Sequence, residues 1–255
     1  MNRCTAVVLA GSRPGVDPFA KAYGTDLKAL IPVGGVPMVR RPVEALLASA
    51  GVGSIRVLAQ QPDRIVEALP DDERISVEAS GETIASTLEA MCADPSVRWP
   101  VLVTTADHAL LTPGMIADFL GKAEGADVAI GVVSSDALLS RLPQTKRTWL
   151  KFRGGAYSGA NLFLLGGPQV RSALEVWRTS EQNRKQAWRM LLTLGFSGFL
   201  GAVLKIRTLQ ETLDAVGRKL GLAIRAVELA DPLAAVDVDK PEDHDLVTAI
   251  LEGRA

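Results

Sequence analysis

The chain has 255 residues, 47% of them hydrophobic, enough to bury roughly 70 to 75% of its unfolded surface as one globular unit. Its 28 basic and 29 acidic residues leave a formal charge of −1, which lacks the electrostatic footprint for wrapping nucleic acid or adhering to an anionic membrane and points to a small-molecule partner. Cys4 and Cys92 form neither a disulfide framework nor a metal-ligand spacing, and the N-terminus lacks the length and cleavage site of a signal peptide. The expected location is the cytoplasm.

Strand-like runs at residues 5–10, 54–59, 101–105 and 128–133 are separated by enough chain to return over a sheet face, the rhythm of an α/β protein. Helical spacing over 37–50 and 82–91, and over 113–123 with Thr112 as N-cap and Pro113 at the first position, predicts cover on both faces of a parallel sheet. Residues 74–79 alternate as an added strand. Further on, 156–165 reads as a strand, 168–178 as a helix, and 181–221 as helical pieces broken at Gly195, Gly198 and Gly201. Strand character returns at 223–229 and 234–238, before a last amphipathic helix over 241–251. With no repeat or low-complexity linker, the reading is a single domain over 1–255 with a helical insertion at about 168–225. The longest uncharged apolar stretch, 190–204, falls short of the about 20 residues a membrane span needs, so no transmembrane segment is expected.

Five constellations carry chemistry. The strand end at Leu9-Ala10-Gly11 runs into Ser12 and Arg13, and Lys28 follows a polar spacer. Backbone N–H groups of such a loop, with cations beside them, suit a polyphosphate, although the glycines alone read equally well as turns. The dinucleotide fingerprint and the Walker A pattern are both absent. Asp107 ends the apolar run 101–105 and its short loop, where parallel sheets bind ligands and a carboxylate can hold a hard cation. In Asp237-Val238-Asp239-Lys240-Pro241-Glu242-Asp243, strand alternation would put Asp237 and Asp239 on one face to complete a cation site with Asp107. The competing reading makes Asp239 a helix N-cap and Glu242 and Asp243 first-turn acids. Gly81 to Leu88 opens a helix with small polar residues, a weak signal alone. Tyr157-Ser158-Gly159-Ala160-Asn161 has Lys151 and Arg153 before it and Arg184-Lys185 after it, cations that suit a phosphate or plain solvated surface. His108 and His244 accompany no nucleophile pattern and take no covalent role.

The opening resembles the MobA-like NTP transferase family of nucleotidyltransferases with the GT-A-like fold, whose pattern is Leu-Ala-Gly-Gly-x-Gly-x-Arg, a spacer, Pro-Lys-x-Leu and Gly-x-Pro. Leu9, Ala10, Gly11, Arg13, Lys28, Leu30, Gly35 and Pro37 fall on it; Ser12, Asp26-Leu27 and a longer spacer depart from it. The acidic segment near the C-terminus resembles the family's Asp-x-Asp-Thr-Pro-Glu-Asp.

The resemblance implies a Rossmann-like three-layer α/β/α fold with a mixed, mainly parallel sheet. It implies nucleotide binding by Leu9, Ala10, Gly11, Ser12, Arg13 and Lys28, with Arg13 and Lys28 catalytic. Gly81 and Ser86 would line the base pocket, and Asp107 and Asp239, favoured over Asp237, would hold Mg²⁺, with Mn²⁺ able to substitute. Tyr157 and Asn161, with Arg184 and Lys185, would contact the acceptor.

The implied partners are a nucleoside triphosphate and a phosphorylated small molecule. The expected reaction transfers a nucleoside monophosphate, CTP being the favoured donor, to a phosphorylated sugar, polyol or other alcohol phosphate, with release of pyrophosphate. The alternatives are a molybdenum cofactor guanylyltransferase, a GT-A glycosyltransferase and an inactive nucleotide-binding regulator. The apolar part of the insertion suits closure of the acceptor pocket, a homodimer contact or a membrane-surface contact.

Overall fold

The structure is a computed structural model and describes residues 3–11, 17–81, 83–182 and 207–255. Its centre is an eight-stranded, mixed and mainly parallel sheet. The strands are β1 (Cys4–Leu9), β4 (Val52–Ala59), β5 (Ile75–Ala79), β6 (Val101–Thr105), β7 (Val128–Ser134), β8 (Leu150–Phe152), β9 (Gly155–Leu165) and β10 (Ile224–Glu228). They lie in the order β10-β7-β9-β6-β1-β4-β5, with β8 on β9. β9 runs antiparallel to β6, β7 and β8, and the other pairings are parallel. A separate hairpin joins β2 (Pro32–Val33) to β3 (Val36–Pro37). Its turn sets Gly34 and Gly35 at φ 56° and 81°, the left-handed region that glycine enters without steric cost.

The continuous apolar run of β1 follows from its central place, since a strand covered on both faces has no solvent side to make polar. Alternation sends Ala6, Val8 and Leu102 to one buried cluster, and Val7, Val101 and Val103 to another. The first is closed by α2 (Arg40–Leu47), α5 (Pro113–Lys122), α6 (Ser135–Arg141) and α9 (Pro241–Leu251), through Leu46, Phe119, Leu138 and Val247. The second is closed by α4 (Ile84–Ala93), α7 (Arg171–Gln182) and α8 (Leu209–Leu220), through Leu88, Leu174 and Val216. This is the three-layer arrangement expected from the sequence. Short helices α1 (Pro18–Ala22) and α3 (Pro62–Val66) sit in the loops after β1 and β4.

Several expected elements differ. Residues 36–37 form β3, so the first long helix starts at Arg40. The helix expected at 82–91 starts at Ile84, because Thr83 and Ser86 close a reciprocal capping box. Residues 234–238 are no strand. Asp231 caps a short 3₁₀ turn, Pro232–Ala235, and β6 already has β1 and β9 as neighbours, so the segment after the turn can only cross the strand's end. There the Val238 N–H donates to the Asp107 carbonyl at 3.1 Å. In the expected insertion, 183–206 lies outside the described residues; after it, Thr208 and Glu211 box the start of α8 and Gly221, at φ 69°, ends it. Among the described residues no helix is long and apolar enough to cross a membrane, and the 190–204 stretch lies outside them.

Candidate nucleotide-transfer site

The loops leaving β1, β4, β5 and β6 emerge along the same carboxyl edge of the sheet. Backbone bonds extend the ladder past the strand ends: Ala10 N–H to Leu58 O at 2.9 Å, Ser80 N–H to Ala59 O at 2.9 Å, and Ala106 N–H to Leu9 O at 3.0 Å. Gly11, Gln60, Gly81 and Asp107 therefore follow four strands at one edge, where α/β sheets bind ligands. Leu9 ends β1, Ala10 is buried and Gly11 is exposed. A Cβ on Gly11 would come within 3.2 Å of the Gln60 side chain. Ser12 and Arg13 lie outside the described residues.

Lys28 begins a 3₁₀ turn, Lys28–Leu30, anchored by buried Leu27, Ala29 and Ile31. Its Nζ donates to Asp107 Oδ2 at 2.7 Å and to Asp239 Oδ1 at 2.5 Å. The sequence-distant acids thus meet on one cation, their oxygens no further apart than the sum of those distances. Burial alone would depress the Lys28 ammonium, but Asp107 and Asp239 outweigh it and hold its pKa above the ordinary lysine value. The lysine is charged at neutral pH. Thr105 donates its hydroxyl to Asp107 Oδ1 at 2.5 Å, leaving Oδ2 to face the shared position.

Asp237 and Asp239 part company here. Without strand alternation, the Asp237 carboxylate turns to Arg147 Nη1 and accepts from Asn161 Nδ2 at 3.2 Å. Burial raises the Asp237 pKa; Arg147 opposes the rise, while neighbouring Asp239 and Asp107 add to it. Asp239 does not cap α9 either: Lys240 holds that position, and the Asp239 side chain reaches Lys28 instead.

Asn161 is the one non-glycine with positive φ, 47°, among the described residues. It lies where the β7–β9 register shifts between Ile130 and Val132. Such a bulge re-aims a side chain, and here the aim is Asp237. Gly131 faces the bulge, where a Cβ would come within 3.1 Å of Leu162 Cβ and 3.2 Å of its carbonyl oxygen. Tyr157 lies four residues earlier on β9, paired with Leu150 and Ser134, roughly 13 Å along the strand.

Ser86 is engaged in its helix cap, donating to Thr83 O at 2.9 Å and accepting from Thr83 N at 3.1 Å. Gly81 N–H donates to Thr87 Oγ1 at 2.9 Å. The two predicted base-pocket residues therefore lie in one capped helix start after β5. Arg184 and Lys185 lie outside the described residues. Sequence reasoning missed the parts played by Arg147 and Thr105: Thr105 is only the polar end of the run 101–105 before Asp107, and the one signal near Arg147 is the basic pair Lys146-Arg147 just before a strand. His108 is fully buried with Nδ1 3.2 Å from Thr104 Oγ1, and burial lowers its pKa to about 4.

Asp107 and Asp239 offer two hard oxygen donors to one cationic position, which fits a magnesium-type ion completed by phosphate and water oxygens. A cleft of about 530 Å³, lined by Arg141, Lys146, Lys240, Glu242, Asp243 and Leu246 among others, opens at the start of α9, the helix that follows Asp239.

Known proteins share this fold. A solved structure titled as a hypothetical transferase from Thermus thermophilus superposes with a TM-score of 0.79 at 33% identity, covering 95% of this chain and 99% of that one. The fold is shared at a TM-score of 0.62 by 4-diphosphocytidyl-2C-methyl-D-erythritol synthase from Anaerococcus prevotii, 11% identical over 98% of this chain and 96% of that one. A curated relative, 2-C-methyl-D-erythritol 4-phosphate cytidylyltransferase of Nocardia farcinica, is 37% identical over 98 residues, or 37% of this chain and 42% of that protein. The chain thus matches about two fifths of that relative's length. The family model of the MobA-like NTP transferase domain matches residues 6–193. Since that match covers well over half of the chain, from β1 to beyond the end of α7, and takes in Lys28 and Asp107, the chain belongs to the MobA-like NTP transferase family.

Proposed function

We propose that the protein transfers a nucleoside monophosphate, with CTP as the favoured donor, to a phosphorylated polyol, sugar or other small alcohol phosphate, and releases pyrophosphate. The observation that carries this reading is the convergence of Lys28, Asp107 and Asp239 at the carboxyl edge of the sheet. The partial match to a cytidylyltransferase supports the choice of base and acceptor.

Asp107 and Asp239 would hold Mg²⁺ or Mn²⁺. When bound, such a cation neutralises phosphate charge and orients phosphate oxygens. Thr105 fixes the rotation of the Asp107 carboxylate, so the same oxygen always faces the site. Lys28, freed from the acids, moves its charge onto the nucleotide phosphates. Arg13 is assigned to the same task from the phosphate loop. An oxygen of the acceptor phosphate attacks the α-phosphorus; the new P–O bond forms as the α–β bond breaks, and the electron pair leaves with pyrophosphate. Positioning and charge stabilisation suffice for this, because an ionised phosphate needs no general base. Gly81 and Ser86 are assigned to the base. Tyr157, Asn161, Arg184 and Lys185 are assigned to the acceptor, with the cleft by Lys146 and Lys240 offering room and positive charge for its phosphate.

A pyrophosphate-release screen crossing the four nucleoside triphosphates with phosphorylated polyols and sugars tests the reading. Release with CTP and a phosphorylated acceptor supports it. Release with GTP alone would place the enzyme with the guanylyltransferases. Turnover of a nucleotide sugar without pyrophosphate, or nucleotide binding without any turnover, would replace it with the glycosyltransferase or the regulator.

A further inference from the structure

Arg147 lies in the segment between α6 and β8, flanked by exposed Lys146 and Thr148, yet its side chain is only 10% accessible. A guanidinium withdrawn from water needs anionic partners, and it has two. Nη1 pairs with Asp237 Oδ1, and Nη2 donates to the Asp237 carbonyl at 3.2 Å and stands 3.7 Å from Asp243 Oδ1. Asp243 in turn accepts from the Asp239 N–H at 3.3 Å through Oδ2. The arginine therefore grips both ends of 237–243, a stretch that makes no sheet ladder, and Asp239 sits between the two grips.

We infer that Arg147 is a positioning residue: by holding Asp237 and Asp243 it turns Asp237 away from the cation position and presents Asp239 to it. The inference rests on the assignment of Asp107 and Asp239 as cation ligands. Asp237 accepts from Asn161 on its other oxygen, so both of its oxygens are taken and it acts as a strut beside the ligands. Supports of this kind set ligand geometry, and losing one costs roughly 10- to 100-fold in metal affinity. A lysine keeps the charge but lacks the planar fork that reaches Asp237 and Asp243 together.

The test is Mn²⁺ binding by the intact protein, read by water-proton relaxation with no nucleotide present. Arg147→Ala should weaken Mn²⁺ binding at least tenfold, and Arg147→Lys by less. Because loss of the arginine alone leaves Asp237 and the buried Asp243 uncompensated and can unfold the chain, the deciding variant is Arg147→Met with Asp237→Asn, which removes two of the three charges and leaves Asp243 the Asp239 N–H. With a wild-type circular dichroism spectrum and melting temperature, it should still bind Mn²⁺ at least tenfold more weakly. Mn²⁺ affinity within twofold of wild type in that folded double variant, while Asp239→Asn binds poorly, overturns the inference and leaves the site assignment standing. Wild-type affinity in Asp239→Asn overturns both.

Discussion

Lys28 occupies the position a cation would take between Asp107 and Asp239, so replacing it should move metal binding and turnover in opposite directions. Lys28→Met keeps an unbranched chain of similar length and removes the charge. The Asp107 and Lys28 side chains are each 21% exposed and Asp239 is 62% exposed, so the two ion pairs are weak ones, each worth at most about 1 kcal/mol. A divalent ion that no longer has to displace them gains at most their sum, about 2 kcal/mol, which is at most about thirtyfold in affinity. Turnover moves the other way. Losing one well-placed donor to developing negative charge costs about 3 kcal/mol, on the order of a hundredfold in rate. Mn²⁺ titration and pyrophosphate release at saturating substrates read the two effects on the same preparation. Unchanged or weaker Mn²⁺ binding would show that the lysine does not compete for the acid pair. A rate loss below twofold would make Lys28 a surface lysine whose contacts with the acids are incidental.

Asp107→Asn and Asp239→Asn should each nearly abolish pyrophosphate release while leaving the circular dichroism spectrum unchanged, and chelation of Mg²⁺ should do the same to the wild type; near-normal rates in both variants would remove the cation site. Arg184→Ala combined with Lys185→Ala should raise the acceptor KM and leave nucleotide binding nearly unchanged; weaker nucleotide binding instead would place these cations on the nucleotide side. His108 gives a pH signature: its folded pKa of about 4 lies below the ordinary 6.5, so the unfolded chain binds the extra proton and stability falls as pH drops from about 6.5 toward 4, by at most about 3 kcal/mol. Urea midpoints measured across that window should fall more steeply for the wild type than for His108→Asn; parallel curves would mean that the imidazole is not held neutral.

The parts of the fold legible in the sequence are those with a local cause. β1, β6 and β7 read as strands because burial on both faces leaves runs such as Ala6-Val7-Val8 and Val101-Leu102-Val103 without polar interruption. α5 was readable from its ends, and Thr112 indeed accepts from the Met115 N–H at 3.2 Å. The segment 234–238 has the apolar character of a strand, but a strand also needs a free neighbour, and β6, whose end the segment crosses, is already paired on both sides. Sequence period records which residues avoid water, and it is silent on which edge is available.

The same distinction governs the site. Lys28, Asp107 and Asp239 each stand out locally; the family match ends at residue 193, so Asp239 lies outside it and joins the group by the resemblance of the acidic segment and, in the fold, by its contact with Lys28. Alternation placed Asp237 and Asp239 together; the 3₁₀ turn before them removes the alternation and leaves each acid to find its own partner. What separates them is a partner 90 residues away: the Asp237 carboxylate follows Arg147 into a half-buried pair, where burial raises the Asp237 pKa and the guanidinium opposes the rise. The exposed acid, Asp239, is then the one that shares the Lys28 ammonium with Asp107. Two carboxylates two residues apart thus take different partners, Arg147 for Asp237 and Lys28 for Asp239, through burial and one arginine that no motif announces.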